Sequence, residues 1–249
     1  MYNNVVKREV IYMHKCDLIF SKSYLHELLN KATENQWQIY AITESDHRKS
    51  VDDKGSHIYT LFYDIPSKKN SDSFIHYEIK TIVGTTEAKE FLHSILNTQY
   101  ILCDVCQSNF EEYTFIYFKS NTQQSNMYET IEVASIEANS INDWLREASE
   151  NQWEIWAITE HDCRNSLKDK GSRKYTIFYS PLKEPPKKKK FIYWIKSVID
   201  VENAKICIRK ITKYGNNILT ISESNFSEYT FIYKVKACAK TERIELEEL

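Results

Sequence analysis

Glycine is nearly missing from this chain, with four residues in 249. Loops that bring backbone against a phosphate or a cofactor usually need it, because a residue without Cβ permits close approach and unusual φ angles. The sequence has no G-x-G-x-x-G stretch and no Walker-type loop, which excludes nucleotide chemistry by those routes. No apolar run approaches the roughly 20 residues that span a bilayer. The opening MYNNVVKREVIYMHK lacks the apolar core of a signal peptide, so a cytoplasmic location and no membrane partner are expected. A formal net charge of −2 gives no global attraction to nucleic acid, which is not expected as a partner.

Matched cysteine and histidine are also lacking. Cys16, Cys103, Cys106, Cys163, Cys207 and Cys238 fall at unrelated places in the two halves described below. They are read as reduced packing residues, with no disulfide framework and no metal site. Cys103 and Cys106 have C-x-x-C spacing, but in a strand an offset of three puts the two side chains on opposite faces. The seven histidines show no spacing that suggests a catalytic base, and no nucleophilic constellation is recoverable. No cofactor is expected.

What the chain does have is a duplication. ENQWQIYAITESDHRKSVDDKGSHIYTLFY (34–63) is repeated as ENQWEIWAITEHDCRNSLKDKGSRKYTIFY (150–179), an offset of 116 residues. The same offset relates SNFEEYTFIY (108–117) to SNFSEYTFIY (224–233), and 11–120 aligns on 127–236 without a gap. A shorter repeat lies inside each half. ITESD with YTLFY, VCQSN with YTFIY, ITEHD with YTIFY, and ISESN with YTFIY each follow a helix-like stretch, itself preceded by a strand-like one. The expected fold is therefore α+β: two tandem repeats, each a pair of β-α-β-β units. Repeat 1 covers 1–120 (units about 7–64 and 74–120), 121–126 is a polar linker, and repeat 2 covers 127–236 (units about 127–180 and 190–236). Residues 237–249 form a charged interaction or solubilising tail, and Lys187–Lys190 belong to a linker that is either simply solvated or contributes to binding nucleic acid or an acidic partner.

Spacing predicts the helix faces: Leu25, Leu28, Leu29 and Ala32; Ala88, Phe91, Leu92 and Ile95; Ile141, Trp144, Leu145 and Ala148; Ala204, Cys207, Ile208 and Ile211. Ser23 and Asn139 are the expected N-caps. Alternation predicts that Trp37, Ile39, Ala41 and Thr43 share one strand face and Gln38, Tyr40, Ile42 and Glu44 the other, with the same split in the second copy. Antiparallel-rich sheets with helices on one face would pair about pseudo-twofold axes to cover their aromatic second faces. The alternative is an aromatic platform, with Tyr40 and Trp156, for a planar ligand such as a base. Whether four units assemble within one chain or across a homodimer stays open.

This order of elements, with a helix running into NQWEIWAI and a closing YTFIYK strand, resembles a family of small bacterial and phage βαββ proteins of unknown function. The likeness covers one unit of about 50 residues at a time and is clearest over 127–180. It implies the fold and carries over no catalytic residue. The segments 47–58 and 163–174 depart from the family's pattern.

Those segments are longer than the two to five residues a tight hairpin requires. From the end of the preceding strand through these segments, the copies keep Thr43/Thr159, Glu44/Glu160, Asp46/Asp162, Arg48/Arg164, Ser50/Ser166, Asp53/Asp169, Lys54/Lys170, Gly55/Gly171 and Ser56/Ser172, while His57 becomes Arg173. The arginines and lysines, with serine hydroxyls and backbone amides, suit a phosphate or carboxylate. Three readings follow: an anion or nucleotide site, a protein-contact surface, or an internal network of Asp–Arg and Asp–Lys pairs. The expected function is non-catalytic binding at two equivalent sites made of the retained residues just named, without the Ser50 and Asp53 pairs, plus Tyr40 and Trp156. In a phage or mobile-element protein this would sequester a small anionic nucleotide-like ligand. The alternative is an immunity or anti-defence protein that inhibits a protein target by contact. An enzyme acting on a phosphorylated substrate ranks third, because cations beside Glu44 and Asp46 would hold both carboxyls ionised.

Overall fold

The computed structural model of the chain describes residues 13–19, 22–46, 57–66, 75–108, 110–119, 130–162, 173–182, 190–224 and 227–237. The order β-α-β-β occurs four times among them. The first segment is β1 (Met13–Ile19), α1 (Lys22–Asn35), β2 (Gln38–Asp46) and β3 (His57–Ile65). The second is β4 (Tyr77–Val83), α2 (Thr85–Leu96), β5 (Tyr100–Gln107) and β6 (Glu112–Lys119). The third is β7 (Glu132–Glu137), α3 (Ile141–Asn151), β8 (Glu154–Asp162) and β9 (Arg173–Ser180). The fourth is β10 (Phe191–Ile199), α4 (Val201–Lys213), β11 (Asn217–Glu223) and β12 (Glu228–Lys236). Each segment makes one three-stranded antiparallel sheet with its last strand in the middle: β1-β3-β2, β4-β6-β5, β7-β9-β8 and β10-β12-β11. The Y-T-x-x-Y strands are therefore central, which explains why they are apolar on both faces. No helix among the described residues is long and apolar enough to cross a membrane.

The helix faces fall as their spacing predicts. Leu25, Leu28, Leu29 and Ala32, and the corresponding residues of the other three helices, are buried, with Phe91 and Trp144 half-buried. The expected caps do not hold. Ser23 lies inside the first turn of α1, and Ser140 rather than Asn139 precedes α3. The Ser140 hydroxyl donates to the Asn139 side chain at 3.1 Å instead of capping the helix. Asp200 is a true cap: its carboxylate accepts from the Asn203 N–H at 2.8 Å, at a φ of +69°. Its counterpart before α2 is Gly84, φ +94°, where a left-handed backbone favours glycine.

Strand alternation breaks at one equivalent place in every sheet. The register skips a residue between Ile39 and Ala41, Leu102 and Asp104, Ile155 and Ala157, and Ile218 and Thr220. The extra residue of each bulge is Tyr40, Cys103, Trp156 or Leu219. Beyond it the faces exchange, so the predicted split is overturned. Ile39 and Ile42 lie in one apolar cluster with α1, while Ala41 joins the cluster of α4. For the same reason Cys103 and Cys106 reach the same cluster rather than opposite faces, and both are free thiols.

The four sheets pack in a ring. β2 lies against β5 and β11, and β8 lies against β5 and β11. Each apolar cluster is completed by the next segment around the ring. Ile116 enters the α1 cluster, Phe178 the α2 cluster, Ile232 the α3 cluster and Phe62 the α4 cluster. All four are the fourth residue of a Y-T-x-x-Y strand. The last segment thus closes onto the first.

Candidate functional site

The residue pairs retained between the two loop-bearing stretches begin inside this ring. Thr43 donates to the Glu223 carboxylate at 2.7 Å, and Thr60 donates to it at 2.8 Å. Cys106 points its thiol at Glu44 at 3.3 Å. Thr159 donates to the Gln107 amide oxygen at 2.6 Å, and Ser222 donates to Glu160 at 2.6 Å. One rule generates all of these contacts but that of Thr60. The Glu or Gln that follows each Ser, Thr or Cys accepts from the equivalent Ser, Thr or Cys of the next segment. A second belt runs the same way: the hydroxyls of Tyr59, Tyr113 and Tyr175 bond Thr114, Thr176 and Thr230 respectively. Burial pushes all three phenols above their ordinary range.

One corner carries charge of both signs. Arg173, at the start of β9, makes two bonds to Glu160, a third to Glu228 at 3.1 Å and a fourth to Thr230. Its side chain is 9% exposed and that of Glu160 is 0% exposed. Burial lifts the Glu160 carboxyl, and Arg173 and the Ser222 hydroxyl pull it back only in part. Burial opposes the Arg173 charge, but Glu160 and Glu228 outweigh it and hold the proton on.

Asp104 sits where β5 meets β11 across the ring. Its carboxylate accepts from the Ile42 N–H at 3.1 Å, the Val105 N–H at 2.9 Å and the Thr220 hydroxyl at 2.9 Å, with a further bond from the Ile221 backbone. Burial raises this carboxyl well above the usual range, and the four donors offset it in part. The sign follows. The folded state keeps the proton to a higher pH than the unfolded chain, so this group's contribution falls as pH rises from the ordinary aspartate value, about 3.9, and levels off above its raised pKa. Urea unfolding of the native chain between pH 4 and 8 should show that fall, and Asp104→Asn should make it shallower, leaving the part that Glu160 contributes. An unchanged slope in the variant would assign the fall to other groups.

The sequence-derived site divides sharply in this structure. Thr43, Glu44, Thr159 and Glu160 are brought together in the ring and are buried. Asp162, at the end of β8, is buried too, and Asp46 ends β2. Tyr40 and Trp156 are the bulge residues, half-buried, with their polar tips donating to Asp64 and to the Ser180 hydroxyl within their own sheets. Arg48, Lys54, Gly55, Ser56, Arg164, Lys170, Gly171 and Ser172 lie outside the described residues. Sequence reasoning missed Asp104, Gln107, Glu223 and Arg173. Gln107 and Glu223 stand in the same column as Glu44 and Glu160 when four segments are compared instead of two. Arg173 gave no signal, because position 57 in the first copy is histidine.

Among the described residues no group of three or more His, Cys, Asp or Glu could hold a metal ion. The ring polar groups bond one another and serve assembly of the four sheets. The chain matches no family model, and no curated protein or solved structure is detectably similar to it.

Proposed function

We propose that this chain is a non-catalytic binding protein made of two tandem repeats, residues 1–120 and 127–236, each a pair of units of the βαββ family it resembles. Its two equivalent sites are the segments 43–56 and 159–172, including Arg48, Lys54, Gly55 and Ser56 and their counterparts Arg164, Lys170, Gly171 and Ser172. The ligand class is a small anionic, nucleotide-like molecule, sequestered in the cytoplasm by a phage or mobile-element protein. One contrast carries this reading. Thr43, Glu44, Thr159 and Glu160 have a structural reason to be the same in both copies, since they bond across the ring. The basic, glycine and serine positions beyond them match equally well, while the second and fourth segments join the same strands through much shorter links. Retention of a long polar segment where shorter links join the same strands points to a ligand.

The test is thermal stability against a panel of cyclic and linear phosphorylated nucleotides. A true ligand at 100 times its Kd should add about 2.7 kcal/mol. Arg48→Ala with Arg164→Ala should abolish the shift and leave the unliganded Tm within a few degrees of native. A complete panel without a shift would reject sequestration.

A specific observation favours contact with a protein target as the second reading. Val83 and Ile199, separated by the repeat offset of 116, are 64% and 57% exposed at the ends of β4 and β10. Paired exposed apolar residues suit a blocking surface of the immunity or anti-defence type. Charged substitutions at both positions would then break a co-purifying complex.

A further inference from the structure

We infer that Asp104 and Thr220 are the key by which the two halves of the chain recognise each other, and that the second half keeps a face fitted to a second copy of itself. This rests on the repeat reading above and is independent of the ligand reading. The two residues occupy the same position in β5 and β11, one repeat offset apart, and meet across the ring. Asp104 accepts from the backbone of Ile42 and Ile221 and from Thr220. The single Thr220 hydroxyl proton is shared between Asp104 and the Ile158 carbonyl at 3.1 Å. One side of the ring centre is therefore an acceptor and the other a donor.

Several contacts that join the halves use equivalent residues, although Ile131 and Val133 pack in the α2 cluster where the first segment has Lys15 and Asp17 at the matching positions. The first segment offers Ala41, Thr43, Thr60 and Phe62 to the fourth. The third segment offers Ala157 and Phe178 to the second, with Thr159 on Gln107 and Thr176 on Tyr113. These are the same four residue types in the same order. The fourth segment could thus receive a third segment from another chain in place of the first, with Trp156 for Tyr40 and the apolar Ile131 and Val133 for Lys15 and Asp17. Two second halves would meet at the centre with Thr220 facing Thr220, two hydroxyls able to bond each other. Two first halves would meet with Asp104 facing Asp104, two buried carboxyls that lack the threonine donor and cannot both ionise. The aspartate forbids one self-pairing and leaves the other open.

Exchanging the key tests this in the full chain. By the offset of 116, an aspartate at 220 would find the Ile158 and Val105 amides where Asp104 finds those of Ile42 and Ile221. Thr220→Asp alone should lower Tm by on the order of 10 °C at neutral pH, with the deficit shrinking in acid. Asp104→Thr with Thr220→Asp should return Tm to within a few degrees of native. A double variant as unstable as Thr220→Asp, or one that fails to fold, would overturn the key. Self-pairing is read from the full chain cut at a protease site placed within 120–126, then unfolded in urea and refolded. Native mass spectrometry should find cross-paired halves and pairs of second halves, but no pairs of first halves, which should appear once Asp104 is replaced by threonine. Recovery of cross-pairs alone would overturn the self-fitting face, and pairs of first halves in the unaltered chain would overturn the role of Asp104.

Discussion

Phe178→Ala should cost the protein about 3–5 kcal/mol, the usual range for deleting a buried aromatic side chain. Phe178 is fully buried, and the cluster it enters belongs to another segment: Ala88, Leu92, Ile95 and Leu96 of α2 with Val105, Tyr113 and Phe115. Its ring meets that of Tyr113 edge-on at 5.7 Å. The variant therefore opens a cavity between two segments, and the damage should appear where the sequence neighbours of Phe178 are not. Hydrogen exchange should accelerate in α2, a helix more than 80 residues earlier in the chain. Phe178→Ile is the informative control, because isoleucine fills the same position as Ile116 and Ile232. It should cost less than half as much as alanine. Urea unfolding of both variants measures this, and a loss below about 1 kcal/mol for alanine would mean that β9 does not insert beneath its neighbour's helix.

Why that insertion could not be foreseen says what a single sequence holds. Helix faces were legible because they depend on spacing within one element: Ala204, Cys207, Ile208 and Ile211 repeat at helical intervals and are buried together. The aromatic strands were legible as strands, and their doubled apolar faces signalled that something must cover them. The partner was not legible, since Phe62 packing on α4 joins residues about 140 apart through ring closure. The bulges were hidden for a different reason. An inserted Tyr40 or Trp156 leaves no local mark, yet it exchanges every later face of the strand. Part of the candidate site, Thr43 and Glu44 with Thr159 and Glu160, owes its agreement between copies to the hydrogen-bond ring. Arg48 and Arg164 lie outside the described residues, so the hydrogen-bond ring accounts for the first part of each stretch only.

Arg173→Ala should be at least as damaging as the loss of Phe178, by about 3–5 kcal/mol, because it strands a buried carboxylate. Glu160 has no exposed side-chain surface, and of its two oxygens one is shared between Arg173 and Ser222 while the other faces Arg173 alone. Removing the cation leaves one hydroxyl to offset the desolvation of a full charge. The pH dependence identifies the cause. Burial already lifts the Glu160 carboxyl against the pull of Arg173, and without Arg173 it must rise further. A carboxyl with a raised folded pKa stabilises the fold when protonated, so the variant's deficit should be largest at neutral pH and shrink as pH falls towards 5. Removing both charges, as Glu160→Leu with Arg173→Met, should cost less than Arg173→Ala alone, since a packed apolar pair often replaces a buried ion pair with little loss. The double-mutant cycle should then return a coupling of about 1–3 kcal/mol. A deficit equal at pH 5 and pH 8 would show instead that Arg173 is held chiefly by Glu228 and Thr230. The corner would then fasten β9 to β12 without drawing on the Glu160 charge.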